Sequence, residues 1–260
     1  MLDPFADAQA WYDRGQAHIQ EYRGLFYSRP DRIWEVLSFP RNDGIFAYSL
    51  RLNRGLFPQL KPITCEAANA LFQSLDNIIG TAARRSGVER TPQIAWPWRI
   101  EPDPTSSLPG AVRPAIEKCV RKMRRQGLAE PWLTLINDTF AAPAVGLAHI
   151  DIIKKVSLSG KHWELVRTEA SALAVDWTFK GATQQTITEV PTDHFKTNDE
   201  FIFYEGEPVE GLTCQMLVST RLAGLENGLQ LDPSTAFDYA SRFVSTALEG
   251  ARRVWNAMPD

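Results

Sequence analysis

Apolar positions recur along the opening residues at spacings of three, four and seven: Phe5, Ala8, Tyr12, Ile19, Tyr22 and Phe26 form one helical stripe interrupted by Gly15. Asp3-Pro4 precedes it, a carboxylate N-cap followed by a proline whose missing N–H costs nothing at a helix start. After Arg29-Pro30 the stretches Ile33 to Phe39 and Ile45 to Leu50 flank a Pro40 to Gly44 turn cluster. They read as a hairpin, with a helix as the alternative for the first stretch. From Pro62 to about Arg85 the helical period returns, with Ala67, Leu71, Leu75, Ile78 and Ala82 on one broad face and Gly87 as the stop. Prolines 92, 97, 102, 104, 109 and 114 make Thr91 to Pro114 a turn-rich loop. Helices are predicted at about Pro114 to Gln126 and Pro131 to Phe140, and the pattern is ambiguous from there to Leu158.

Beyond His162 the runs become short and β-prone: Leu165 to Arg167, Ala172 to Phe179, Thr186 to Val190, Phe201 to Tyr204 and Leu212 to Leu222. Asp232-Pro233 repeats the cap-plus-proline signal. Phe237, Ala240, Phe243, Val244, Ala247, Leu248, Ala251 and Val254 then trace a closing amphipathic helix. Helices, then strands, then one helix predict an α+β class: an N-terminal helical part, a C-terminal antiparallel sheet and the closing helix. At 260 residues and 29.2 kDa the expectation is one domain, 1–260, with sub-parts 1–160 and 161–260.

Composition narrows the class without naming a reaction. With 44% hydrophobic residues and a net charge of -3, wholesale disorder and a uniformly basic coat are excluded. The N-terminus lacks a basic region followed by an apolar one, and no apolar run approaches a membrane span, so a cytoplasmic protein is expected. Cys65, Cys119 and Cys214, odd in number and widely spaced, read as reduced thiols.

The net charge conceals segregation. Between Arg84 and Arg125 ten Lys/Arg face four acids, a net of +6, and from Glu189 to Glu210 seven acids face Lys196 alone, a net of -6. Arg84, Arg85, Arg121, Lys122, Arg124 and Arg125 are candidate polyanion-binding residues. Trp96 and Trp98, inside the basic block, suit base stacking or act as buried anchors pinning the loop. The acidic run reads as a docking surface or as a solubilising, strand-protecting face.

Candidate chemistry is sparse. His149 and Asp151, two apart, would share one side of a strand, and with His162 and either Asp193 or His194 they form a candidate Zn or Mn site of a metal-dependent hydrolase. No H-E-x-x-H, C-x-x-C pair, G-x-S-x-G or glycine-rich phosphate loop is present. No cofactor is expected.

The helix segment Leu71 to Asn77 and the later Lys161-His162 pair resemble a broad group of uncharacterised bacterial and phage proteins. That group carries a Leu-Arg-Ser-Ala-Leu-Asp-His-like helix and a Lys-His pair; Phe72 and Asn77 replace its Arg and His here. The resemblance spans about residues 15 to 165 and makes Asp76 and His162 the catalytic candidates if the two segments meet. A looser resemblance is to the helical HEPN ribonucleases, whose Arg and His have four to six residues between them. Arg14 and His18 have only three residues between them, so the match is degenerate.

Three functions follow, in order: a non-catalytic interaction or regulatory protein assembling with itself or a protein partner through opposite-charge surfaces; a nucleic-acid-binding or degenerate HEPN-like protein using residues 84–125; and the metal-dependent hydrolase.

Overall fold

A computed structural model describes residues 3–26, 33–41, 44–89, 94–97, 113–141, 150–151, 153–157, 167–181, 185–187, 200–223 and 232–259. The fold is α+β, with two small antiparallel sheets. The chain forms two compact units. One holds Met1–Gln20, Ile63–Leu165 and Ser234–Asp260; the other holds Glu21–Pro62 and Val166–Pro233.

The helix α1 (Ala6–Phe26) begins where its cap signal placed it: Asp3 Oδ1 accepts the Phe5 N–H at 2.9 Å. The next helix, α2, runs Phe57–Arg85, five residues earlier than its proline signal implied. The earlier start is organised by Asn53, whose Oδ1 accepts the Gly55 N–H at 3.1 Å and whose backbone carbonyl accepts the Leu56 N–H. Pro62 therefore lies inside the helix rather than at its first turn.

Two further helices follow, α3 (Arg113–Arg125) and α4 (Glu130–Thr139). Both α2 and α3 end in the same way. Gly87 bonds back to Arg84 and Val88 to Ala83; Gly127 bonds back to Arg124 and Leu128 to Met123. These are paired C-terminal bonds in which the glycine takes a positive φ, 68° and 92° respectively. Residues 150–151 and 153–157, within the ambiguous stretch, are helical, and 142–149 lie outside the described residues. The closing helix is α5 (Pro233–Ala257), and its predicted stripe from Phe237 to Ala251 is buried.

In the helical unit Leu71, Leu75, Ile78 and Ala82 of α2 form the centre of the core. Gly15 lets α1 approach closely, since a Cβ there would lie 3.1 Å from Leu71. Ser74 Oγ fixes the two helices in register by donating to the Ala8 carbonyl at 2.7 Å. Phe5 packs against Trp132 and Trp255, with ring centroids 6.3 and 5.9 Å away.

The second unit contains the strands β1 (Trp34–Pro40), β2 (Phe46–Leu52), β3 (Arg167–Thr178), β4 (Gln185–Ile187), β5 (Glu200–Gly206) and β6 (Thr213–Ala223). The predicted hairpin is β1–β2, with Val36 opposite Leu50. One C-terminal sheet was expected, whereas the strands divide into β1-β2-β5 and β4-β3-β6. β5 joins the hairpin with Tyr48 opposite Tyr204 and Arg51 opposite Glu200. Trp177 of β3 and Phe203 of β5 pack at 5.3 Å between ring centroids.

Candidate functional site

On α3 the apolar residues Ile116, Val120 and Met123 are buried at spacings of four and three, so the rest of the helix surface is free to carry charge. Lys118, Arg121, Lys122 and Arg125 are exposed. Their spacing of three, one and three places them on one stripe about 10 Å long at 1.5 Å per residue. Arg121 donates from Nε to the Glu117 carbonyl at 3.3 Å. Lys118, Lys122 and Arg125 have no ion-pair partner among the described residues.

Arg124 is spent locally. Its Nε and Nη2 meet the two carboxylate oxygens of Glu130 at 2.9 and 2.6 Å, and this pairing holds the Glu130 carboxyl below its usual range. Arg84 donates to Thr81 Oγ1 at 2.9 Å. Arg85 lies over the Trp255 ring at 4.8 Å and donates to the Met258 and Pro259 carbonyls at 3.3 and 3.0 Å. It therefore fastens the end of α5, where a cation also suits the helix dipole.

Trp96 is 2% exposed and packs against Phe140 and Phe243, with centroids 6.3 and 6.1 Å away. Its ring faces are covered by protein, which is the anchor arrangement and not a stacking platform. Trp98 lies outside the described residues, as do His149, Lys161, His162, Asp193 and His194.

Asp151 belongs to a helix, so residues two apart do not share its face and the strand geometry supposed for His149 and Asp151 does not apply. Its carboxylate is 7% exposed and meets Lys155 Nζ at 2.9 Å, one helical turn on. Ile150, Ile153 and Val156 are the buried positions that reveal the period. Among the described residues no group of three His, Cys, Asp or Glu could hold a metal ion. Asp76 sits half-buried on α2.

The acidic run behaves differently from the basic one. Glu200 accepts from Arg51 Nε at 3.0 Å, and Glu35 sits 3.3 Å from the same guanidinium. Glu205 bonds to Arg41, and Glu210 lies 3.8 Å from Lys180. Glu200, Glu205 and Glu210 are thus met by cations of their own unit, the strand-protecting arrangement.

Near this region Cys214 faces Trp177 across the β3–β6 ladder. Burial, reinforced by the Asp176 charge, pushes its thiol up to about 11. Cys65 is buried on α2, where its Sγ accepts from Asn69 Nδ2 one turn on at 3.7 Å, and Asn69 Oδ1 accepts from Ser157 Oγ at 2.6 Å.

Two groupings of surface residues were not assembled by the sequence reading, although Lys118 is one of the ten cations it counted and Arg14 the arginine it set beside His18. Lys118 completes the α3 stripe, and its spacing from Arg121, Lys122 and Arg125 was the available signal. Asp7, Trp11 and Arg14 share the polar side of α1, where a search for apolar periodicity gives them no weight.

No described helix is long and apolar enough to cross a membrane. No protein-family profile, curated protein or solved structure matches the chain.

Proposed function

We propose that this is a cytoplasmic interaction or regulatory protein that acts by docking an acidic protein surface onto the cation stripe of α3. The observation that carries the reading is the contrast between Lys118, Arg121, Lys122 and Arg125, exposed on one face, and Glu200, Glu205 and Glu210, which have cationic partners in their own unit. A second copy of the chain would have to give up those pairs to supply the matching negative surface. An acidic partner of different sequence gains the same Coulomb attraction without that loss.

The test is fluorescence anisotropy with a labelled oligoglutamate peptide, a single-stranded RNA and a DNA duplex, each at 50 and 300 mM NaCl. The expected result is preferential binding of the acidic peptide, weakened by salt and reduced more than tenfold by combined Arg121→Glu, Lys122→Glu and Arg125→Glu substitution. Tighter, variant-sensitive binding of nucleic acid would replace this reading with a phosphate-binding one. Binding indifferent to the triple substitution would dispose of both.

A further inference from the structure

Asp7, Ala10, Trp11 and Arg14 succeed one another at spacings of three, one and three on α1. With Asn77 of α2 they line an open depression of about 290 Å³. Its lining is polarised. A carboxylate stands at one end and a guanidinium at the other, on residues seven apart whose Cα atoms lie about 10 Å apart along the helix axis. Neither has an ion-pair partner among the described residues.

Arg14 lies over the Trp11 ring, with its guanidinium carbon 5.5 Å from the ring centroid. A cation–π contact of this kind helps to hold the guanidinium at the ring while its N–H groups stay available for a bidentate carboxylate. Asn77 donates from Nδ2 to the Gln73 carbonyl at 2.8 Å, which fixes the carboxamide and leaves Oδ1 able to accept from an N–H. The floor is held rigidly, because Ser74 and Gly15 set the register and separation of α1 and α2.

These groups select a zwitterion by charge. An anion satisfies only Arg14 and a cation only Asp7, whereas a zwitterion long enough to reach both satisfies the two together. The spacing then selects the length: three residues of extended chain span about 10 Å. We infer that the depression is a binding site for a short extended peptide of about three residues with both termini free. Its ammonium group sits at Asp7, its carboxylate at Arg14, and a peptide N–H at Asn77. This site shares no residue with the α3 stripe, so either proposal stands or falls without the other.

Calorimetric titration of the full chain with trialanine, N-acetyl-trialanine and trialanine amide tests it. Trialanine is expected to bind saturably at one site, and each cap to weaken it at least tenfold. In Asp7→Asn the free and acetylated peptides should bind alike; in Arg14→Gln the free peptide and the amide should bind alike. Both residues are exposed, and the circular dichroism of each variant should match that of the parent. The capped ligands test the same point on the unmodified protein. Absence of saturable binding, capped peptides binding as well as trialanine, or affinities unmoved by both substitutions would overturn the inference.

Discussion

The helix α3 and the strand β5 carry opposite charges and dispose of them in opposite ways. On β5, antiparallel pairing with β2 brings Arg51 opposite Glu200, so the ladder itself decides which charges meet. On α3 the stripe is made by one helix, and like charges three and four apart are forced together whatever surrounds them. A sheet can neutralise its charges by register, whereas a helix does so alone only where opposite charges stand three or four residues apart, as for Asp151 and Lys155, and Lys118, Lys122 and Arg125 have no acid at those positions. Among the described residues, Glu200, Glu205 and Glu210 are therefore neutralised within their own unit, while Lys118, Lys122 and Arg125 are not.

The largest effects that can sharpen this comparison lie in the two cores. Trp132 is 1% exposed in the helical unit and Trp177 is 8% exposed in the sheet unit. Each substitution to Ala is expected to cost about 3–5 kcal/mol in urea titrations, with Trp177 toward the lower end. A loss below about 1 kcal/mol for Trp132 would mean that the helical core does not depend on the indole.

Glycine replacements should separate by sign. Gly87 takes a positive φ at the end of α2, so Gly87→Ala should cost about 1 kcal/mol. Gly24 is exposed within α1, and a methyl group added there would meet no atom within 4 Å, so Gly24→Ala should instead gain about 0.5–1 kcal/mol. Thermal melts check both, and equal signs would contradict the placement of these residues.

A smaller effect comes from Asp3. The Phe5 N–H, and after it Arg252, hold its carboxyl below the usual value of 3.8, partly offset by burial. Because the folded value is the lower one, the stabilisation is fully present above the ordinary carboxylate range and is lost as the pH falls through the folded value. Urea midpoints of the parent should therefore fall more steeply between pH 5 and 2 than those of Asp3→Asn; parallel curves would remove the cap from the account.

The smallest effect tests the comparison most directly. Raising NaCl from 50 to 500 mM screens attraction around β5 and repulsion along α3. Amide hydrogen exchange should consequently speed up in β5 and slow down in α3. Shifts of the same sign in both would mean that one of the two charge arrangements is wrongly described.

Much of the helical unit was legible because its signals are local. The Asp3 cap, the Gly87 stop and the α5 stripe each depend on residues within a turn or two of one another. The pairing of β2 with β5 was not legible, since strand register there is settled between residues about 150 positions apart, as for Arg51 and Glu200. Asp151 was misread for a different reason. Its alternation with His149 suggested a period of two, while Ile150, Ile153 and Val156 already carried the helical one. Trp96 admitted two readings because an indole suits a core as well as a nucleobase, and only its packing against Phe140 and Phe243 distinguishes them. The depression beside Trp11 was invisible because it needs Asn77, brought in from another helix.

The environment of Cys214 determines how the second sheet ages. Peroxide attacks the thiolate, and a thiol titrating near 11 supplies only about one thiolate in ten thousand at pH 7, against a few in a hundred for an ordinary cysteine. The strand that carries this sulfur is thereby shielded from the first rung of oxidation by electrostatics as well as by burial, and a peroxide-treated sample should retain Cys214 as the free thiol long after glutathione in the same tube has been consumed.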